Sequence, residues 1–257
     1  MKLHITETGS GDGPPILLAH GLFGQGRNLG GIARRLAETR RVISVDMRNH
    51  GDSPADPDHS YPALAADLAA VIADHGGVAD VAGHSMGGKA AMALALTHPQ
   101  AVRRLAVLDI APIGYGHTQT RLIDAMEGLD LTGVDRKSEA DRRLSETVDE
   151  PGVRAFLLQS LDLKSNPPRW RMNLQVLRES MAQLVGWPDD LPGASQFDEP
   201  ALFLTGALSD YVTDDGRAAI RRLFPQARIV AIKGAGHWLH ADAPETVADA
   251  LAQFFAA

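Results

Sequence analysis

Four short, largely apolar runs stand out in the first 112 positions, at 15–19, 42–45, 78–82 and 105–108. Runs of this length, bounded by turn residues, predict strands buried on both faces. Between them, residues 32–37, the series Leu64, Leu68, Val71 and Ile72, and residues 86–96 carry apolar side chains at three- to four-residue intervals. That is the spacing of helices with one buried face. Strand and helix therefore alternate, which predicts an α/β fold with a mostly parallel sheet and helices on both faces. From 113 to 196 the period is helical and the composition more polar, and no strand is predicted. Pro167-Pro168 and Trp187-Pro188 punctuate this stretch, which reads as a helical insertion lying over the sheet. Alternation resumes with strands at 201–204 and 228–232 and helices at 218–223 and 244–255. The chain thus divides into a first core part, 1–112, an insertion, 113–196, and a second core part, 197–257.

Ligands of such sheets bind beyond the carboxyl ends of the strands. His20, Asp46, Ser85 and Asp109 each follow a predicted strand. Ser85 lies in Gly83-His84-Ser85-Met86-Gly87, a G-x-S-x-G string between a strand and a helix, the context of a nucleophile elbow. A serine in such a turn has positive φ, so residues two places either side must lack bulky side chains. Gly83 and Gly87 satisfy that demand. A hydroxyl needs a base to take its proton. His237, in Gly234-Ala235-Gly236-His237-Trp238 after the last predicted strand, is the candidate. His240 is a weaker competitor, and His84 is expected to pack or hydrogen-bond locally.

Two aspartates compete for the acid that orients the base. A G-x-x-D-x-x-V pattern laid on Gly206 and Val212 puts Ser209 at the acid position and Asp210 one residue late. Asp109 directly follows four apolar strand residues and needs a partner, so role and position favour it, with Asp210 as the alternative. The oxyanion donors are expected to be the amides of Met86, after the nucleophile, and of Leu22, after the first buried strand, with Phe23 as the alternative to Leu22.

Composition adds exclusions. The 257 residues are 44% apolar and 22% charged, with a net charge of −7. This balance is that of a folded globular protein, and it disfavours nucleic-acid binding. The absence of cysteine excludes disulfides, thiolate catalysis and Cys-based zinc sites. No apolar stretch is long enough to span a membrane or to serve as a signal peptide, so a cytoplasmic protein is expected. His50, Asp52, Asp56, Asp58 and His59 crowd one loop. The Pro and Gly among them favour turns over a metal site. Lys89 is expected to be structural or surface-exposed. Phe23, Tyr115 and Trp238 are expected to line a substrate pocket, with Phe156, Trp170 and Trp187 as further candidates. Arg121 and Arg169 are weaker candidates for holding an anionic substrate.

Five strings carry a family resemblance: His20-Gly21-Leu22-Phe23-Gly24, Asp46-Met47-Arg48-Asn49-His50-Gly51-Asp52-Ser53-Pro54, Gly83-His84-Ser85-Met86-Gly87-Gly88-Lys89, Asp109-Ile110-Ala111-Pro112, and Gly236-His237-Trp238-Leu239-His240-Ala241-Asp242. In this order, along nearly the whole chain, they resemble the α/β-hydrolases of the YbfF-type esterase branch. That branch is similar to abhydrolase-domain mitochondrial proteins and yeast ethanol acetyltransferase. The resemblance implies an α/β-hydrolase fold with a helical cap and hydrolysis of short- to medium-chain acyl esters or thioesters. It also implies Asp109 as the acid, although Asp210 beside Tyr211 departs from the family pattern. No cofactor or metal is expected. The expected partner is a small acyl ester or thioester, and the expected state a monomer or small homo-oligomer. Acyl-CoA thioesterase, alcohol acyltransferase and perhydrolase chemistry use the same triad. An epoxide or haloalkane hydrolase is disfavoured, because those carry an aspartate at the elbow. A non-catalytic ligand-binding homologue is the rival from another class.

Overall fold

Adjacent residues of the predicted strands end in two different cores, one on each side of a single sheet. The protein is described by a computed structural model for residues 1–188, 191 and 196–256. The first half builds β1 (Ile5–Thr8), β2 (Ile16–Ala19), α1 (Gly30–Leu36), β3 (Val42–Val45), α2 (Tyr61–Asp74), β4 (Ala79–His84), α3 (Met86–Thr97) and β5 (Val102–Leu108). Leu17, Val81 and Val107 pack with α2 and α3, while Ile16, Leu18, Ala82 and Ala106 pack with α1. This is the two-residue period of a strand buried on both faces.

Residues 113–196 contribute α4 (Thr120–Glu127), α5 (Lys137–Leu144), α6 (Pro151–Gln159), β6 (Leu161–Asp162), β7 (Arg169–Trp170), α7 (Leu174–Glu179) and α8 (Met181–Val185). The stretch is therefore not wholly helical. β6 and β7 pair antiparallel through Leu161↔Trp170 and Asp162↔Arg169, and two residues a side are too few to show a period. Its C-terminal boundary, placed at 196, adjoins positions 189–190 and 192–195, which lie outside the described residues. The chain ends with β8 (Ala201–Gly206), α9 (Asp214–Leu223), β9 (Ala227–Ile232), α10 (Leu239–Asp242) and α11 (Pro244–Ala256). Val247, Leu251 and Phe255 of α11 pack beside α1 on the second face.

The sheet order is β1-β3-β2-β4-β5-β8-β9. All neighbours are parallel except β1, which runs antiparallel to β3. The sequence pattern misses β1 because its residues are exposed or half-buried, as on an edge strand. The ladder also sets the site. β4 extends two residues past its predicted end, pairing Ala19↔Gly83 and His84↔Leu108. The Ser85 amide then donates to the Leu108 carbonyl (3.1 Å) and the Asp109 amide to the Leu204 carbonyl (2.8 Å). Both polar residues leave the sheet from fixed points.

Lys89 fastens the insertion to this frame. It is 1% exposed, so the surface alternative does not hold. Its ammonium donates to the carbonyls of Ile113 (2.9 Å), Val185 (3.1 Å) and Gly186 (2.5 Å). Ile113 lies between β5 and α4, and Val185 and Gly186 at the end of α8, so one side chain ties both segments to α3. Burial pulls the amine's pKa down to about 7, while three carbonyls match the three N–H groups of the charged form.

Candidate active site

Ser85 joins β4 to α3 at φ 51° and ψ −118°. A Cβ on Gly83 would run into the Gly87 carbonyl, and one on Gly87 into the carbonyls of Ala19 and His20. Glycine at both positions is what lets the turn close. Four non-glycine residues have positive φ among the described residues: Phe23, Asn49, Ser85 and Asp109. They follow β2, β3, β4 and β5 in turn, so strained backbone gathers along one edge of the sheet.

Across that edge Ser85 Oγ lies 3.1 Å from His237 Nε2, and His237 Nδ1 lies 2.8 Å from Asp109 Oδ2. With Nδ1–H donating to the carboxylate, the Nε2 lone pair faces the serine hydroxyl. The Asp109 carboxylate is 0% exposed and fully engaged. Its Oδ1 accepts from the Gly206 amide (2.8 Å), and its Oδ2 also accepts from Ser209 Oγ. Ser209 thus bonds to the acid from the position the loop pattern reserved for one. Asp210 is exposed and is not joined to His237. The Tyr211 ring stacks on the His237 ring, with centroids 3.8 Å apart and planes at 17°. Sequence reasoning named neither contact, although the offset at Ser209 was its visible trace.

His84 makes a distant bond where a local one was expected, its Nε2–H donating to the His237 carbonyl (2.9 Å). His240 packs edge-on against it at 4.4 Å and does not face Ser85. The other two strand-tip residues fasten loops. His20 Nδ1–H donates to the Gly21 carbonyl (2.8 Å), and its Nε2 accepts from the Met47 amide (2.9 Å). Asp46 accepts from the amides of Gly26 (2.8 Å) and Asp52 (2.9 Å). In the His50–His59 loop, the Asp56 and Asp58 carboxylates accept from the amides of Asp58 and Ser60 two residues on. That is ordinary aspartate turn bonding.

Of the oxyanion candidates, Leu22 and Met86 line the same cleft as Ser85. No protein acceptor among the described residues takes their amides. The alternative, Phe23, donates its amide to His50 Nε2 (3.2 Å) and so is not free. The cleft has a volume of about 380 Å³, and Phe23, Tyr115, Phe156 and Trp238 form its apolar walls. Arg121 and Glu150 also line it and pair at 3.6 Å. Trp170 and Trp187 stand apart from the cleft. Trp170 Nε1 donates to the Met126 carbonyl (2.8 Å), and the Trp187 ring packs by Tyr61. Arg169 is exposed on β7 and does not reach the cleft.

The histidines around this edge make folding acid-sensitive. Burial holds His20 below, and His50 and His84 well below, the ordinary value of 6.5, and brings His59 and His240 down to about 4. Below pH 6.5 the unfolded chain takes up protons that the folded chain refuses. Stability is therefore full above about pH 6.5 and falls as pH drops, by about 1.4 kcal/mol per pH unit down to about pH 4 for each of His59 and His240, with His20, His50 and His84 adding in the same direction. Urea midpoints measured from pH 7.5 to 4.5 should decline steeply, and a flat profile would contradict the neutral state of these rings.

Among the described residues, no helix is long and apolar enough to cross a membrane. Residues 14–244 match the family model of the alpha/beta hydrolase fold. The chain is 41% identical over 252 residues to the mouse (Mus musculus) sn-1-specific diacylglycerol lipase ABHD11, covering 95% of this chain and 81% of that protein. It is 39% identical over 259 residues to the esterase YbfF of Escherichia coli, covering 99% of each. A solved marine microorganism esterase superposes with a TM-score of 0.92 at 34% identity, covering 98% of this chain and 99% of that one. The chain belongs to the α/β-hydrolase family.

Proposed function

We propose that this protein is a serine esterase that cleaves carboxylic esters of short- to medium-chain acyl groups through an acyl-enzyme. The observation that carries the reading is the unbroken Ser85–His237–Asp109 chain, at 3.1 and 2.8 Å, opening into an apolar cleft. The names of the similar proteins, an esterase and a lipase, agree with it.

Ser85 Oγ attacks the ester carbonyl carbon as its proton passes to His237 Nε2. The amides of Leu22 and Met86 receive the developing oxyanion. Asp109 holds the imidazolium upright through Nδ1–H. The intermediate collapses, the C–O bond breaks, and the departing alkoxide takes the proton from Nε2. Water then attacks the acyl-enzyme with His237 as base, releasing the carboxylic acid and restoring Ser85. Within the 113–196 insertion, α6 walls the acyl side of the cleft as part of a cap, with Phe156 opposite Trp238 at 5.8 Å between ring centroids.

The test is a panel of p-nitrophenyl acetate, butyrate, octanoate and palmitate, run beside acyl-CoA thioesters and beside fluorophosphonate labelling. Turnover is expected to peak among the shorter esters, with label on Ser85. Faster thioester cleavage would replace the ester assignment with a thioesterase. Ethyl ester formed in added ethanol, at the expense of acid, would make an alcohol the natural acyl acceptor. No turnover and no label would remove the enzyme reading.

A further inference from the structure

The loop after β2 is held from the insertion as well as from the sheet. Phe23 sits at φ 64°, a left-handed conformation unfavourable for a bulky side chain. Such a residue persists only where its surroundings over-determine it. Two contacts grip its backbone. His50 Nε2 accepts its N–H at 3.2 Å, and Ser160 Oγ donates to its carbonyl at 2.9 Å.

Ser160 follows α6 in the insertion and is 0% exposed. Its hydroxyl accepts from Gln25 Nε2 at 2.8 Å, so its own hydrogen is committed to the Phe23 carbonyl. Gln25 is itself 3% exposed, and its backbone N–H donates to Asn28 Oδ1 (2.5 Å). Asn28 Nδ2 donates to Gln159 Oε1 (2.6 Å), and Arg27 Nη2 to the Gln159 carbonyl (2.5 Å). Two consecutive insertion residues therefore clasp the loop from 23 to 28. Without the Ser160 hydroxyl, a buried carbonyl and a buried amide both lose a partner.

We infer that Ser160 is a positioning residue for the hydrolysis proposed above: through Phe23 it fixes where the neighbouring Leu22 amide stands, making the insertion part of the oxyanion machinery. The inference rests on the serine-esterase reading. Small displacements of such a donor are costly, with about 1 Å of misplacement lowering rate on the order of 100-fold.

The test compares wild type with Ser160→Ala, Ser160→Thr and Gln25→Leu on p-nitrophenyl butyrate. It also measures affinity for a trifluoromethyl ketone, which adds to the serine as an oxyanion mimic, and for butyrate, which does not. Ser160→Ala is expected to lower kcat by about 10- to 100-fold, with KM within threefold (roughly the scale of lost uniform binding). Ketone affinity should fall by the same factor as kcat, and butyrate affinity should hold. Gln25→Leu should lose less with the same signature, and it carries the test if Ser160→Ala does not fold. Ser160→Thr should recover most of the rate. A raised KM at unchanged kcat, or a lower kcat with undiminished ketone affinity, would give Ser160 a merely structural role and overturn the inference. Wild type that neither turns over nor binds the ketone would defeat the esterase reading first, and this one with it.

Discussion

Ser85→Ala is expected to lower kcat on p-nitrophenyl butyrate by about a million-fold, the scale seen when a triad serine is removed. The geometry permits so clean a loss. Among the described residues Ser85 Oγ makes one hydrogen bond, with His237 Nε2, so alanine leaves no structural partner stranded. Its backbone conformation costs alanine much what it costs serine. The variant should therefore melt close to wild type, keep its cleft and bind butyrate, yet take no fluorophosphonate label. Above 1% residual turnover, the attacking atom would have to be sought elsewhere.

Asp109→Asn is expected to cost about ten-thousand-fold in kcat, with Asp210→Asn within about twofold, as surface substitutions usually are. Every group around the Asp109 carboxylate is a donor: the Gly206 amide, the Ser209 hydroxyl and His237 Nδ1. An asparagine must turn its NH2 toward one of them. If it faces His237, Nδ1 has to become the acceptor, and Nε2 then carries the hydrogen toward Ser85. A base so protonated cannot take the serine's proton. The loss should be in kcat, with KM little moved and the pair Asp109→Asn/Ser209→Ala no worse than Asp109→Asn alone. A large loss in Asp210→Asn instead would transfer the acid to the other loop.

These two residues mark how far the sequence could be read. The α/β fold was legible because the strands at 42–45 and 105–108 are largely apolar and buried, and the grouping of Ser85, Asp109 and His237 because the first two directly end buried strands and the third follows the last strand. β1 was missed because an edge strand may be polar without penalty to the sheet, and the β6–β7 pair because two residues carry no period. Lys89 shows a different limit. Its apolar helix surroundings pointed inward, but its partners are carbonyls of Ile113, Val185 and Gly186, which no side-chain pattern announces. The same holds for Phe23. As a side chain it was expected in the pocket, where it lies. As an amide it was a candidate donor, and a histidine 27 residues away has already claimed it.

The positive φ at Ser85 has a consequence for how this gene can drift. Glycine at that position would relieve on the order of 1–3 kcal/mol of backbone strain, offset in part by about 0.5–1 kcal/mol of extra chain entropy lost on folding, and the hydrogen bond to His237 would be lost. Ser85→Gly should therefore be inactive and melt a few degrees above wild type. A duplicate copy released from selection on turnover would meet no folding barrier to that change and a small inducement toward it. On the proposed mechanism, turnover alone holds a serine where the fold would gain from glycine.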